Sequence, residues 1–307
     1  MTELDMANSG DMFSNVFSYL GVPLCTDIKS SDADVAVLGL PYDLATSGRA
    51  GTRSGPMAIR QASANLRWEE ARWPWPFVLL DRLKVVDCGD VDFHFGNHED
   101  FVRSCQQRAS EIIDAGKTLI SLGGDHYVAL PLLRSHVARH GKVALIHFDA
   151  HTDTDEEGWI YDHGAMFHHA CTEGLLDEER SVQVGIRTEY KREGHPFTVL
   201  DADWVSQRPA TEVCARIHEI VGAGPAYLTF DIDCLDPAFA PGTGTPVCGG
   251  LSSNHALQIV RGLQGLNLVG MDLVEVAPAY DHSDVTALAG ATLVLEFLHL
   301  IGAQKSG

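Results

Sequence analysis

The sequence predicts an α/β protein with a mainly parallel β-sheet that is covered by helices on both faces. Short apolar runs alternate along the chain with segments of helical periodicity, and several of the runs are apolar throughout. Strands that are apolar on both sides are typical of parallel sheets buried between two layers of helices. Three of the runs also end in acidic or histidine side chains. In open α/β sheets, the carboxyl ends of the strands are where ligands bind.

Eight segments are predicted to be strands because they are short, apolar and bounded by turn residues. They are Val35–Leu40, Lys84–Cys88, Thr118–Leu122, Val143–Phe148, Val182–Ile186, Thr198–Leu200, Ala226–Phe230 and Leu268–Val274. The order of these strands in the sheet does not follow from the sequence.

The helices are predicted from apolar stripes of helical spacing with capping residues at their ends. They run from about Phe101 to Gly116, from Thr211 to Gly222, from Leu257 to Leu263 and from Ser283 or Asp284 to about Leu300. Three segments rich in Gly or Pro interrupt the alternation and are predicted to be loops: Ala45–Pro56, Trp73–Phe77 and Ala240–Gly250. The first and third are long enough to be active-site loops.

The composition is that of a globular protein with an acidic surface. The chain has 42 acidic and 22 basic residues and a formal net charge of −20, which argues against nucleic-acid binding. The longest apolar stretch, Leu293–Gly302, is interrupted by Glu296 and His299 and is shorter than the roughly 20 residues that span a bilayer. The seven cysteines lack CxxC spacing, and the N-terminus lacks an apolar segment. We therefore expect a cytoplasmic protein with no membrane partner.

Metal-binding side chains follow three of the predicted strands. Asp149, His151 and Asp153 are spaced two residues apart, as are Asp231 and Asp233, and His126 follows the Thr118–Leu122 run. Alternate side chains of an extended chain point the same way, so each set can converge on one point. Because the candidate site spans residues 126–275 without an intervening linker, residues 1–307 are predicted to form one domain, with residues 1–30 as an extension that packs on or near it.

These six candidate ligands are four carboxylates and two imidazoles, with no thiolate. Such a set suits Mn²⁺ and related ions, whereas structural zinc sites favour thiolates. Four carboxylates nearly balance the charge of two divalent cations, and Asp149 and Asp231, first in their clusters, are the expected bridges. Two such cations activate a shared water as a nucleophile. Burying four acids without a cation would be very costly.

Five other polar residues near these strand ends lie outside this ligand set. His147 lies one pleat further back than Asp149 and is interpreted as a hydrogen-bonded core histidine. His163 lies on a loop that can fold over the cluster, and Glu275 follows the last predicted strand, where a carboxylate can hold a cationic substrate. His168 and His169 are interpreted as loop residues, because adjacent side chains do not face the same way.

Five motifs together resemble the ureohydrolases, the arginase–agmatinase family. They are GxxxGPxxIR (Gly51–Arg60), GGDH (Gly123–His126), FDAHTD (Phe148–Asp153), FDIDCLDPAFAPGTGTPVCGGL (Phe230–Leu251) and EVAPAYD (Glu275–Asp281). The resemblance extends from about Asp32 to the last helix, and within the family it is strongest to the bacterial agmatinase branch. It implies an α/β/α fold with an eight-stranded parallel sheet, two Mn²⁺ ions per chain, hydrolysis of agmatine to putrescine and urea, and a homo-oligomer, either a trimer or a hexamer.

The resemblance also implies roles for individual residues. One Mn²⁺ would take His126, Asp149, Asp153 and Asp231, and the other Asp149, His151, Asp231 and Asp233. Glu275 would hold the guanidinium of a small cationic guanidino substrate, Thr245 would line its pocket, and Asp153 or His163 would pass a proton to the leaving amine.

The chain departs from the arginase pattern after Thr154. Arginases place an asparagine next, which binds the α-carboxylate of the substrate, whereas this chain has Asp155 followed by two glutamates. A carboxylate at that position repels another carboxylate and attracts an amine, so the sequence favours agmatine over arginine.

Three alternatives stay open on the sequence alone. The first is a ureohydrolase of another guanidino compound, 4-guanidinobutyrate or 3-guanidinopropionate, or less favourably an arginase. The second is a catalytically inactive regulatory homologue, although all six ligands and Glu275 are present. The third is a zinc amidohydrolase of the deacetylase type, which would not need the full binuclear set.

Overall fold

A sheet of eight parallel strands forms the centre of this computed structural model, which describes residues 17–69 and 71–305. The strands are β1 (Val35–Leu40), β2 (Val85–Asp90), β3 (Thr118–Gly123), β4 (Ala144–Phe148), β5 (Val182–Val184), β6 (Thr198–Leu200), β7 (Pro225–Asp231) and β8 (Asn267–Val274). Each predicted strand is confirmed to within two residues at either end, and every strand pair is parallel.

The strand order is β2-β1-β3-β8-β7-β4-β5-β6. The four strands at its centre, β3, β8, β7 and β4, are those that lead into the candidate functional residues. Strands β3 and β4 follow each other in sequence but are not neighbours in the sheet, because β8 and β7 lie between them. This arrangement brings residues more than 100 positions apart to one edge of the sheet, the edge at which parallel α/β sheets bind ligands.

Nine α-helices lie among the described residues. They are α1 (Gly55–Ser63), α2 (Leu79–Arg82), α3 (His98–Asp114), α4 (Ala129–His140), α5 (Met166–Thr172), α6 (Ala202–Ser206), α7 (Ala210–Val221), α8 (Ser253–Arg261) and α9 (Val285–Gln304). The four predicted helices correspond to α3, α7, α8 and α9. The loop predicted for Ala45–Pro56 ends early, because α1 begins at Gly55 with Pro56 in its first turn, where proline is tolerated.

The interpretation of His168 and His169 as loop residues is wrong, because both lie in α5. This helix has seven residues, which is too short for apolar periodicity to be recognised in the sequence. Helix α4 was also missed, although Leu130, Leu133 and Val137 have helical spacing and Gly141 ends the helix with a positive φ of 74°.

Two apolar clusters lie on opposite faces of the sheet. One contains side chains of α1, α2, α6, α7, α8 and α9, and the other contains side chains of α3, α4 and α5. Successive residues of β1 alternate between them, with Val35 and Val37 in the first and Ala36 and Leu38 in the second. The predicted three-layer α/β/α arrangement is therefore confirmed.

The described part of the predicted N-terminal extension packs on the sheet and on α9. The Tyr19 side chain is fully buried, its hydroxyl donates to the Ala291 carbonyl at 2.7 Å, and its amide donates to Asp87 at 2.8 Å. Residues 1–16 of the extension lie outside the described residues, and the single-domain organisation of residues 1–307 stays a prediction.

Helix α9 is, among the described residues, the one helix long and apolar enough to cross a membrane by length and composition. Of its most apolar window, 78% is buried inside the protein, as in a core helix. Glu296 in this helix is fully buried and accepts hydrogen bonds from Trp75 Nε1 at 2.7 Å and from Arg261 Nη2 at 2.6 Å. These bonds account for an acidic residue in an otherwise apolar helix, because a buried carboxylate requires such partners.

The arginine of the GxxxGPxxIR motif has a structural role. Arg60 is buried and donates to both oxygens of the fully buried Asp87, at 2.8 and 2.9 Å. We expect Arg60→Met to reduce the free energy of unfolding by about 3–5 kcal/mol, because it leaves the Asp87 carboxylate buried without its cation. Urea unfolding measures this loss.

The control for this substitution is Arg216→Met, which removes an exposed ion pair to Glu219 on α7. Exposed pairs contribute about 0–1 kcal/mol, so this variant should unfold almost like the parent protein. Equal stability of the two variants would contradict the role given to Arg60.

Candidate metal centre

The candidate ligands leave the sheet through tight connections at the carboxyl ends of β3, β4 and β7. After β3, the chain passes so close to Tyr42 that a Cβ on Gly124 would lie 1.7 Å from the Tyr42 carbonyl oxygen. Only glycine fits there, and the Asp125 amide donates to that same carbonyl at 2.8 Å. The glycines of the GGDH motif thereby allow the chain to turn and place His126 over the sheet.

His126 is the centre of the first group of ligands. Its side chain is buried, and Nδ1 lies 3.0 Å from Asp149 Oδ2, 3.0 Å from Asp153 Oδ2 and 3.3 Å from Asp231 Oδ2. These are the four residues that the resemblance implied for one ion.

The second group is formed around His151. Its Nδ1 lies 3.3 Å from Asp149 Oδ1 and 3.2 Å from Asp233 Oδ2. Asp149 therefore contacts both histidines, each through a different oxygen, as expected for a bridging carboxylate. Asp231 lies with the first group, and its Oδ1 accepts the Asp233 amide at 2.8 Å.

The two histidines of the cluster can balance only part of the negative charge of its four carboxylates. Burial and the repulsion of Asp233 and Asp149 raise the pKa of Asp231 well above its usual range. Burial and the Asp149 charge raise the pKa of Asp233 to about 6. Burial alone would lower the pKa of His151, but its bonds to Asp149 and Asp233 raise it to about 12.

These shifts are those of acids that compete for too little positive charge. Carboxylate oxygens and imidazole nitrogens that converge without a thiolate are ligands that suit Mn²⁺. The residues present therefore fit divalent cations.

His147 is a buried, hydrogen-bonded histidine, as its position in the strand predicted. Its Nε2 donates to Asp149 Oδ2 at 2.8 Å, and its Nδ1 accepts from Gln183 Nε2 at 2.9 Å. The Gln183 amide also donates to the Thr152 carbonyl at 2.7 Å. Both ring nitrogens are used in these bonds, so His147 orients the carboxylate of Asp149.

Glu275 lies beside the candidate metal centre, and only one of its two carboxylate oxygens has hydrogen-bond partners. Its Oε1 accepts from the His126 amide at 2.8 Å and from His163 Nδ1 at 2.9 Å. Its Oε2 is buried and has no hydrogen-bond partner among the described residues. A buried carboxylate oxygen without a donor is suited to a ligand that brings its own N–H groups.

His163 is held between Glu275 and the loop at 45–54, through Ser47 and the Ala45 carbonyl. Burial lowers its pKa and the Glu275 carboxylate raises it, with a net value of about 9. The Ser47 amide, however, donates to His163 Nε2 at 3.0 Å, a bond that only the neutral ring accepts. The two partners of His163 favour opposite protonation states, as suits a group that exchanges a proton.

Thr245 and Asp155 differ in their distance from the candidate ligands. The Thr245 hydroxyl donates to Asp233 Oδ2 at 3.3 Å, so Thr245 contacts one of the candidate ligands directly. Asp155 is exposed at the rim of a cavity of about 830 Å³ that reaches inward to His151 and Asp153. Acidic residues dominate the charged lining of this cavity: Asp153, Asp155, Glu156, Glu157, Glu178 and Glu189 against Lys191.

Two backbone positions show features that the sequence did not predict. Asp153 and Glu275 have φ angles of 52° and 62°, a left-handed conformation that is uncommon for residues other than glycine. Each costs on the order of 1–3 kcal/mol and persists where the surroundings hold it in place. No sequence signal reveals this strain, because neither position is Gly, Asn or a recognisable turn.

Comparisons with known proteins agree with this geometry. A sequence model of the arginase family matches residues 33–300. The chain is 57% identical to the agmatinase of Photorhabdus laumondii subsp. laumondii over 307 residues, which covers 99% of this chain and 100% of the relative.

Solved structures are similar over nearly the whole chain. The crystal structure of a hypothetical agmatinase from Burkholderia thailandensis is 47% identical and has a TM-score of 0.92, covering 97% of this chain and 94% of that one. The proclavaminate amidino hydrolase from Streptomyces clavuligerus is 33% identical, with a TM-score of 0.90 and coverage of 95% and 99%. The chain therefore belongs to the arginase family, the ureohydrolases that its motifs resemble.

Proposed function

We propose that the chain is an agmatinase that uses two Mn²⁺ ions to hydrolyse agmatine to putrescine and urea. The observation that carries this proposal is the buried Glu275 Oε2, which has no hydrogen-bond partner among the described residues. The other oxygen of the same carboxylate accepts from the amide of His126, one of the six candidate ligands. The relative from Photorhabdus laumondii, similar over its whole length, carries the name agmatinase.

The metal ligands of the proposal are those expected from the motifs. One ion would be held by His126, Asp149, Asp153 and Asp231, and the other by Asp149, His151, Asp231 and Asp233. When bound, two such cations lower the pKa of a shared water, which supplies a nucleophile at neutral pH.

The guanidinium of the substrate is held by Glu275. A guanidinium presents N–H groups in a plane, and a carboxylate oxygen accepts them in charge-assisted hydrogen bonds. Since the His126 amide and His163 restrain Oε1 of this carboxylate, Oε2 is held in one position. The guanidinium carbon is thereby placed against the carboxylates of the metal centre.

The bond from the guanidinium carbon to the alkylamine nitrogen breaks only if that nitrogen gains a proton. Asp153 and His163 are the groups that transfer it. Asp153 lies in the first ligand group, 3.0 Å from His126 Nδ1, and His163 Nδ1 lies 2.9 Å from Glu275 Oε1. A proton donor within hydrogen-bond reach of the leaving nitrogen is what general acid catalysis requires.

The amine end of agmatine points outward along the acidic cavity. Asp155 at its rim has a hydrogen bond from the Glu157 amide to its Oδ1 at 3.0 Å, which orients the carboxylate. We also propose a homo-oligomer, a trimer or a hexamer, on the family resemblance alone; light scattering after size-exclusion chromatography tests it.

Urea release from a panel of guanidino compounds tests the proposed function. The panel is agmatine, arginine, 4-guanidinobutyrate and 3-guanidinopropionate, each assayed after chelation and again after Mn²⁺ is restored. We expect activity only with Mn²⁺ and a kcat/KM for agmatine at least about 100-fold above that for arginine. Turnover without metal would refute the metal centre, and a preference for a guanidino acid would refute the substrate.

Asp155→Asn tests the contact with the amine end. Removing this charge at an exposed site should lower kcat/KM for agmatine about 5–10-fold at low salt, mainly through KM, because surface charge interactions are weak and screened. Steady-state kinetics at two salt concentrations measure the effect. The control is Glu219→Gln on α7, which lies away from the cavity and should not change KM. If Asp155→Asn changed only kcat, Asp155 would not bind the amine.

A further inference from the structure

A chain of hydrogen bonds connects His126 to a buried acid beneath the metal centre. His126 Nε2 lies 2.8 Å from the Thr229 hydroxyl, and that hydroxyl donates to Asp272 Oδ1 at 2.5 Å. Thr229 and Asp272 are paired in register on β7 and β8, so the sheet itself sets this contact. None of the motifs used in the sequence analysis includes Thr229 or Asp272 in a functional role.

The direction of each hydrogen bond follows from the chemistry of its partners. His126 points Nδ1 at three carboxylates, and a histidine that binds a cation does so through an unprotonated nitrogen. Its proton then lies on Nε2 and is donated to Thr229 Oγ1. A carboxylate only accepts, so the Thr229 hydroxyl donates to Asp272. One hydroxyl thus accepts from the imidazole and donates to the acid.

Asp272 is, with Asp125, one of the two buried acids among the described residues that form no ion pair. It is fully buried, its Oδ2 accepts from the Tyr227 hydroxyl at 2.7 Å, and no Lys, Arg or His nitrogen of the described residues lies within 4.0 Å of its carboxylate. Buried charges are as a rule paired or coordinate metals. The path through Thr229 and His126 is therefore its connection to positive charge.

We propose that Thr229 and Asp272 are positioning residues that fix the His126 tautomer, so that Nδ1 is presented unprotonated to the first metal ion. This inference rests on the proposed metal centre. Partners of this kind orient metal-binding histidines and raise their basicity, and their loss typically weakens metal binding by about 10–100-fold.

Mn²⁺ titration of metal-depleted protein, followed by the EPR signal of free Mn²⁺, tests the proposal. Thr229→Val keeps the shape of the side chain and removes the hydroxyl. We expect it to weaken binding of one Mn²⁺ per chain by about 10–100-fold and to leave the other, which uses His151, less affected. Thr229→Ser retains the hydroxyl and should bind both ions within about threefold of the parent protein.

Tyr227→Phe is the matched control, because it removes the other hydroxyl bound to Asp272 without interrupting the path to His126. It should bind both ions within about threefold of the parent, while Asp272→Asn should weaken one ion as Thr229→Val does. Thermal unfolding of the metal-depleted variants shows that each is folded.

Several outcomes would overturn the inference. The first is that Thr229→Val binds Mn²⁺ as tightly as the parent protein. The second is that Thr229→Ser, or Tyr227→Phe, weakens Mn²⁺ binding as much as Thr229→Val does. A parent protein that binds no Mn²⁺ would overturn the proposed metal centre and this inference with it. A parent that binds two ions but releases no urea from agmatine would refute the proposed substrate while leaving this inference intact.

Discussion

Asp149→Asn is expected to abolish metal binding and urea release together. Asp149 is the one carboxylate of the described cluster that contacts both histidines, through Oδ2 to His126 and through Oδ1 to His151. The neutral amide that replaces it removes a charge from both ligand groups at once. We expect bound Mn²⁺ to fall well below two per chain and kcat/KM to fall by at least about 10⁴-fold, because water activation is lost.

The folded chain should tolerate this substitution. The asparagine oxygen still accepts the His151 amide, which lies 2.6 Å from Asp149 Oδ1, so the connection after β4 is retained. Metal analysis of the purified variant and urea assays measure the effect. Asp203→Asn, on the exposed surface of α6, is the control and should keep both ions and full activity. A variant at position 149 that holds two ions, or keeps more than a few per cent of parental turnover, would contradict the bridging role.

Glu275→Gln is expected to separate metal binding from catalysis. Glu275 lies outside both ligand groups, so the variant should retain two Mn²⁺ per chain. Its activity should nevertheless fall about 10²–10³-fold, the usual loss when one charge-stabilising group is removed from a reacting centre. A neutral amide does not balance the guanidinium charge, and its NH₂ group cannot accept from another N–H.

Glutamine is the informative substitution because it keeps the size of the side chain. The left-handed backbone at this position is equally unfavourable for glutamate and glutamine. The side-chain oxygen of glutamine can accept the same hydrogen bond from the His126 amide. Metal content, KM and kcat should be measured on the same preparation, with Glu173→Gln on the surface beside α5 as the control. Loss of metal along with activity would make Glu275 part of the metal centre, and activity within tenfold of the parent would remove it from the guanidinium site.

Most of the fold was predictable because several strands are apolar over most or all of their length. Val35–Leu40, for example, is buried at all six positions, and such a run is visible without any tertiary information. The short helices α5 and α6 were not predictable, since five to seven residues do not complete enough turns to show a period.

The candidate site was predictable where residues close in sequence carry the chemistry. Asp149, His151 and Asp153 lie within five residues after β4, so their presence at one strand end was predictable. The left-handed φ of 52° at Asp153 was not, because an extended chain was expected there. The role of Asp272 was not predictable in this way. An aspartate in the middle of an apolar strand has no local partner, and its contact with Thr229 exists only because β7 and β8 pair in one register.

The sequence by itself determined the strands, the identity of the six candidate ligands and the family, because apolar runs and spaced motifs are local properties of the chain. Only the tertiary structure decided the strand order, which places β3, β8, β7 and β4 side by side. It also decided which nitrogen of His126 faces the acids, and the left-handed backbone at Asp153 and Glu275. These features depend on contacts between residues more than 100 positions apart or on strain that the surrounding fold maintains, and neither is encoded in any short stretch of sequence.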